Sequence, residues 1–255
     1  MDTLERLVVN AETLLREGYY DVRGETLRSP SFLGALAASA RSSDVIAEIK
    51  FASPGMRSPR DVAEFDAILN GIVAAKPLGL SVLAEPKIFG GSIDFVSRAA
   101  RTGLPVLMKD VVIDSRQIDA AARCGASALL LIETLARGGH SHRRIDRLID
   151  EAHDRKVEVV LEVHTLEEWD AAVETPADIL GVNNRSLATL AIDLGTTPRI
   201  LGERRKDRPV IAMSGIETRR QVDTMLQAGA DAVLVGTSIM HHDEPAKKLQ
   251  ELQHG

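Results

Sequence analysis

Val45-Ile46-Ala47-Glu48-Ile49-Lys50 is a short apolar run that closes on two ionisable side chains at alternate positions. The same design returns along the chain. Val106-Leu107-Met108 leads to Lys109, Val159-Val160-Leu161 to Glu162, Ile179 to Val182 to Asn183, and Ile211 to Met213 to Ser214-Gly215. Each run ends in a residue able to move a proton or hold an anion. A parallel barrel gathers the carboxyl ends of all its strands around one mouth, so residues scattered from 48 to 238 can meet in a single pocket.

Outward from these runs, strand-like segments begin near Val45, Leu80, Val106, Ala128, Val157, Ile179, Val210 and Ala232. Between them lie segments with helical periodicity, such as Ile145, Leu148, Ile149 and Ala152, or Val222, Met225, Leu226 and Ala228. Eight alternating units with buried apolar strands imply a parallel sheet closed into a (β/α)8 TIM barrel rather than an open doubly wound sheet. The G-x-G-x-x-G fingerprint of a dinucleotide fold follows none of the runs. A length of 255 residues suits one such domain over residues 1–255, with 1–43 as an N-terminal helical extension. In that extension Leu4, Leu7, Val8, Ala11, Leu14 and Leu15 mark an amphipathic helix, and Ser31 can cap a second one containing Leu33, Leu36 and Ala37. These helices either cover part of the barrel or plug its lower end.

Composition narrows the function classes. Hydrophobic residues at 44% and charged residues at 27% are ordinary for a globular protein with a substantial core. A net charge of −6 and few aromatics argue against nucleic-acid binding. The basic cluster Arg204-Arg205-Lys206 is expected in a solvated loop on the face away from the mouth. A lone Cys124, with no His or Cys cluster at metal-ligand spacing, suggests a reducing, cytoplasmic setting and no metal. Charged residues interrupt the first twenty positions, so no signal peptide is expected, and no run has the roughly 20 apolar residues of a membrane helix. The expected assembly is a monomer or weak homo-oligomer.

At the strand ends, Glu48 and Lys50 project to the same side of their strand, which in a barrel is the interior mouth. A lysine near a second ammonium, or partly desolvated, has its pKa lowered and can serve as a general acid; Lys50 and Lys109 are candidates, with an exposed loop charge as the alternative for each. Glu162 follows an apolar strand, where an unpaired carboxylate is costly unless it meets a cation or does chemistry, so it is a candidate base. His164 is expected on the following loop. The amides of Asn183 and Asn184 can hold a sugar hydroxyl, with a plain turn role as the alternative for Asn184. Ser214-Gly215-Ile216 and Gly236-Thr237-Ser238-Ile239-Met240 follow consecutive strands, and together they can cradle a phosphate with backbone N–H groups and the start of a short helix. Tight turns are the alternative use of Gly215 and Gly236.

Taken in order, these segments resemble the indole-3-glycerol phosphate synthases along nearly the full chain. The resemblance is carried by Ala47 to Lys50 with Ser53-Pro54, Ser81 to Glu85 with Phe89 to Ser92, and Leu107 to Asp110 with Gln117-Ile118. It continues in Leu161 to His164, Gly181 to Arg185 with Leu187, Ser214 to Ile216, and Ala228 to Asp231 through Met240. It implies decarboxylative and dehydrative ring closure of 1-(2-carboxyphenylamino)-1-deoxyribulose 5-phosphate, in tryptophan biosynthesis, with no cofactor. It also implies roles: Lys109 as general acid, Glu162 as base or proton relay, Lys50 on the substrate carboxylate, Glu48 positioning Lys50, and Asn183 on a ribulose hydroxyl. Ser214, Gly215, Gly236 and Thr237 would clasp the phosphate. Arg185, Ser53 and Pro54 would line the site, and Phe89, Leu130 and Leu187 would pack the aromatic ring.

The chain departs from the family pattern at Met213, where a glutamate usually precedes the Ser-Gly, and at Val111, where phenylalanine is common. Phe51 and Gly55 also differ, at positions where a basic residue and a serine are usual. Either Glu48 and Glu162 suffice for the proton transfers, with Met213 filling volume, or the chain has shifted substrate or kept only a binding role. The competing readings are another phosphate-binding barrel of the phosphoribosyl isomerase type and a catalytically silent barrel subunit.

Overall fold

In the computed structural model, residues 3–24, 26–38, 43–53, 56–57, 59–139, 141 and 144–254 are described. Eight strands form one closed barrel: β1 (Val45–Ile49), β2 (Gly79–Leu83), β3 (Val106–Lys109), β4 (Ala128–Ile132), β5 (Glu158–Val163), β6 (Ile179–Asn183), β7 (Val210–Met213) and β8 (Ala232–Val235). Every neighbouring pair is parallel, and pairing of Val45 with Val233 closes β1 onto β8. The expected strand starts fall within one residue of these. They were readable because strands covered on both faces are continuous apolar runs, and β1, β2, β4 and β6 are buried throughout.

Helices recur between the strands and carry recognisable stops and starts. Asp114 and Thr218 form capping boxes with Gln117 and Gln221, and Gly125 ends the helix Ser115–Cys124 in a left-handed turn at φ +84°. The Arg204 to Lys206 cluster lies in the loop before β7, with Arg204 paired to Asp170 and Lys206 to Asp231. Trp169 is buried on the helix Leu166–Ala172.

The two N-terminal helices divide the two expectations between them. Thr3–Arg16 lies over the mouth: Asn10 Nδ2 donates to Glu85 Oε1 at 2.7 Å, just past β2, and Tyr20 OH, following the helix, donates to Asp110 Oδ2 at 2.9 Å, just past β3. Phe32–Ala37 closes the opposite end. Ser31 caps it as expected, and the carboxylate of Glu158, at the start of β5, accepts the N–H groups of Phe32 and Leu33 at 2.8 Å each. A carboxylate on these unpaired N–H groups also complements the positive end of the helix.

Candidate active site

The carboxyl ends of β1, β3, β5 and β6 converge on a cleft of about 830 Å³, counting its open entrance. Such a volume accommodates a drug-sized molecule. Glu48, Lys50, Ser53, Phe89, Lys109, Leu130, Glu162, Asn183, Arg185, Leu187 and Ser214 line it, so eleven of the fifteen residues singled out from sequence meet in one place. Pro54 and Gly55 lie outside the described residues. Gly215, Gly236 and Thr237 are not part of the cleft lining and stand beside it at the ends of β7 and β8.

Glu48 is the centre of the charge arrangement. Its Oε1 lies 2.7 Å from Lys50 Nζ, and its Oε2 lies 3.0 Å from Lys109 Nζ. Ser81 Oγ donates to Oε2 at 3.4 Å. Burial pushes the carboxyl up, but the Lys109 and Lys50 ammonium groups outweigh it and hold Glu48 at about 2. The expectation of a lysine with lowered pKa is therefore corrected for Lys109. Burial acts in that direction, yet the facing carboxylates of Glu48 and Glu162 raise Lys109 above its ordinary value. The ammonium form stands ready at neutral pH because a carboxylate, not a second ammonium, is its nearest neighbour.

Across the cleft Glu162 accepts a hydrogen bond from Asn183 Nδ2 at 2.9 Å. Asn183 Oδ1 accepts the Arg185 N–H at 2.9 Å, which leaves the asparagine one N–H and one lone pair to offer a ligand. Burial pushes Glu162 up; His164, Lys109 and Asn183 together hold it below the ordinary carboxylate range. Asn184 turns away from the cleft, donating to Ser214 O and accepting from the Thr197 N–H and hydroxyl, and so takes the turn role.

Met213 is fully buried and absent from the cleft lining. It pairs in register with Asn183, and its Cε would lie 2.6 Å from a Cβ built on Gly181. The methionine thus fills the space that Gly181 leaves in the barrel interior. Val111 lines the cleft as an aliphatic wall.

In the turn after β7, Ser214 and Gly215 both adopt left-handed backbone, at φ +69° and +79°. Such a conformation is strained for serine and is typical of functional turns. Gly215 has no room for a Cβ, which would lie 2.4 Å from Ile192 Cγ2. Gly236 shows a different constraint: a Cβ there would lie 2.6 Å from Glu48 Oε1. Its missing side chain makes room for the carboxylate between the lysines.

Sequence reasoning missed the contributions of four residues. Thr3 and Leu7 line the cleft from the N-terminal helix. Glu85 accepts the N–H groups of Lys87, Ile88 and Phe89 and so sets the loop that carries Phe89. His164 is the first residue past β5, as the loop reading expected, but its ring turns back to Glu162. Among the described residues, no group of three or more His, Cys, Asp or Glu side chains is placed to hold a metal ion, and no helix is long and apolar enough to cross a membrane.

Barrel and site together define the class: a (β/α)8 barrel with a lysine–glutamate cluster in a cleft at the carboxyl ends of its strands. The family model described as indole-3-glycerol phosphate synthase matches residues 10–252. An indole-3-glycerol phosphate synthase of Methanocaldococcus jannaschii is 37% identical over 209 residues, covering 81% of this chain and 76% of the relative. One from Staphylococcus aureus is 33% identical over 263 residues, covering 99% and 98%. Among solved structures, N-acetylmannosamine-6-phosphate 2-epimerase from Clostridium perfringens superposes with a TM-score of 0.62 at 14% identity, covering 86% of this chain and 95% of that one, a likeness of fold alone. The chain belongs to the indole-3-glycerol phosphate synthase family.

Proposed function

We propose that the protein converts 1-(2-carboxyphenylamino)-1-deoxyribulose 5-phosphate to indole-3-glycerol phosphate, releasing CO₂ and water, as a carboxy-lyase of tryptophan biosynthesis. The observation that carries the reading is the placement of Lys109 and Glu162 on one cleft, with Glu48 bridging Lys109 to Lys50. In this reading Lys109 protonates the ketone oxygen while the ring carbon bearing the carboxylate attacks the ketone carbon. The new C–C bond forms, CO₂ leaves with its bonding electrons returned to the ring, and the former ketone oxygen becomes a hydroxyl. Glu162 then takes a proton from the carbon beside the anilino nitrogen and passes it to that hydroxyl, so that the C–O bond breaks, water leaves and the indole double bond forms.

Lys50 holds the substrate carboxylate, Glu48 holds both lysines in place, and Asn183 offers its free N–H to a ribulose hydroxyl. Three cations, Lys50, Lys109 and Arg185, face two carboxylates, Glu48 and Glu162, and the third acid, Asp110, is pushed up to about 7 by burial. That balance favours an anionic ligand. The phosphate sits against Ser214, Gly215, Gly236 and Thr237, where the first N–H groups of Thr237–Met240 have no partner within the helix. Ser53 and Arg185 line the substrate, and Phe89, Leu130 and Leu187 pack its aromatic ring. The single buried thiol of Cys124 fits a cytoplasmic enzyme. Among the described residues the large exposed apolar side chains, Val9, Val62 and Ile192, are scattered along the chain, which fits a monomer or weak homo-oligomer. Incubating purified protein with the substrate and following indole fluorescence tests the reading. Turnover supports it, and saturable binding without product would mark a silent barrel.

A further inference from the structure

Behind Glu162 lies a charged group that the steps above do not use. His164 is outside the cleft lining and its side chain is only 10% exposed. Each ring nitrogen faces a carboxylate: Nε2 is 3.2 Å from Glu162 Oε1, an ion-pair contact out of line for a hydrogen bond, and Nδ1 is 3.1 Å from Glu168 Oε2. The backbone N–H of His164 donates to the same Glu168 oxygen at 2.6 Å, and Thr134 Oγ1 donates to Glu168 Oε1 at 2.8 Å. A neutral imidazole has one N–H, so it would turn a lone pair toward one of these carboxylates; an imidazolium serves both. We propose that His164 is a positioning residue for the reaction, an imidazolium clamped between Glu162 and Glu168 that, with the Asn183 amide, keeps the Glu162 carboxylate ionised and aimed at the cleft. The inference rests on the reading of Glu162 as the base.

The charges around the ring agree with this. β5 contributes Glu162, and the helix Leu166–Ala172 contributes Glu168. The helix Glu133–Arg137 brings the Thr134 hydroxyl to 3.5 Å of Nδ1 and begins with the buried Glu133. β6 brings the Asn183 amide, and Lys109 acts on Glu162 from the cleft side. Burial disfavours the imidazolium, but Glu162 and Glu168 outweigh it and raise His164 to about 9. On Glu162, His164 is the largest influence opposing burial, ahead of Lys109 and Asn183.

The test uses the full chain with His164→Asn and Glu168→Gln. In the ligand-free protein, ¹⁵N NMR of the imidazole, assigned by the signals lost in His164→Asn, should show both nitrogens protonated at pH 7. His164→Asn should lower kcat by about tenfold at pH 6–7, change KM by less than about twofold, and move the acid limb of the kcat profile to higher pH, so that activity recovers as pH rises. Glu168→Gln keeps the ring and should make it titrate at lower pH than in the wild type. A neutral ring at pH 7, an unmoved acid limb accompanied only by lost thermal stability, or an unchanged titration in Glu168→Gln overturns the proposal. Wild-type turnover with an unmoved limb counts against His164 alone; no wild-type turnover counts against the synthase reading and takes this proposal with it.

Discussion

Gly236→Ala separates two uses of one glycine, support of the Glu48 carboxylate and approach to a phosphate. The added Cβ would lie 2.6 Å from Glu48 Oε1 and 3.0 Å from Glu48 Cβ, whereas ordinary contact begins at 3.4 Å. The carboxylate must therefore retreat by about 0.8 Å, the difference between the closer approach and that limit. Glu48 cannot retreat freely, because its two oxygens hold Lys50 at 2.7 Å and Lys109 at 3.0 Å. Overpacking of this kind costs about 1–3 kcal/mol of stability, and a misplacement approaching 1 Å at a reacting group costs up to about 100-fold in rate. Steady-state kinetics should show kcat lower by about 10- to 100-fold with a smaller change in KM. In a Glu48→Ala background the same substitution should have little further effect on kcat, since the carboxylate it displaces is gone and only the 3.0 Å contact with the Cβ remains. A variant with wild-type kcat and a raised KM would refute this reasoning and leave phosphate contact as the main role of Gly236.

Three further substitutions probe other parts of the account. Met213→Glu places a carboxylate on the inward face beside Asn183 and should raise kcat several-fold while costing about 1–3 kcal/mol by burying a polar group; no gain, or a loss, would show a pocket adapted to the apolar side chain. Asp110, raised by burial to about 7, contributes stability that is fully present below its ordinary value and lost as pH rises through about 7. Thermal melts should therefore show Asp110→Asn gaining on the wild type between pH 5 and pH 8, and a pH-independent difference would contradict this. Glu158→Ala removes the acceptor of two helix-start N–H groups at the barrel's lower end and should cost about 1–3 kcal/mol, read from denaturant melts, with kcat unchanged.

The barrel was legible because its strands are continuous apolar runs, and the cleft residues because each stands at a run's carboxyl end. Glu48, Lys109, Glu162 and Asn183 needed no more than that rule to be placed together. The position of the N-terminal helices was not legible: an apolar stripe fits either end of a barrel, and only long-range bonds such as Asn10 to Glu85 and Phe32 to Glu158 separate the two. The direction of the Lys109 shift was missed because two lysines were set side by side in the reading, whereas the fold inserts Glu48 between them. His164 had a sequence cue in its spacing, two residues after Glu162 and four before Glu168, yet whether the ring turns inward depends on how the next helix packs. Gly236 read as a phosphate turn because nothing local reports that Glu48, far away in sequence, occupies the space of its missing side chain.

The most direct test of the central claim, that Lys109 is the acid of a ring closure run at this cleft, is the kcat of Lys109→Ala beside the wild type, with the carboxyphenylamino-deoxyribulose phosphate as substrate. The account predicts wild-type turnover and a kcat lower by at least about 100-fold in the variant, with substrate still bound at the phosphate and carboxylate ends. A variant that retains wild-type kcat would contradict it.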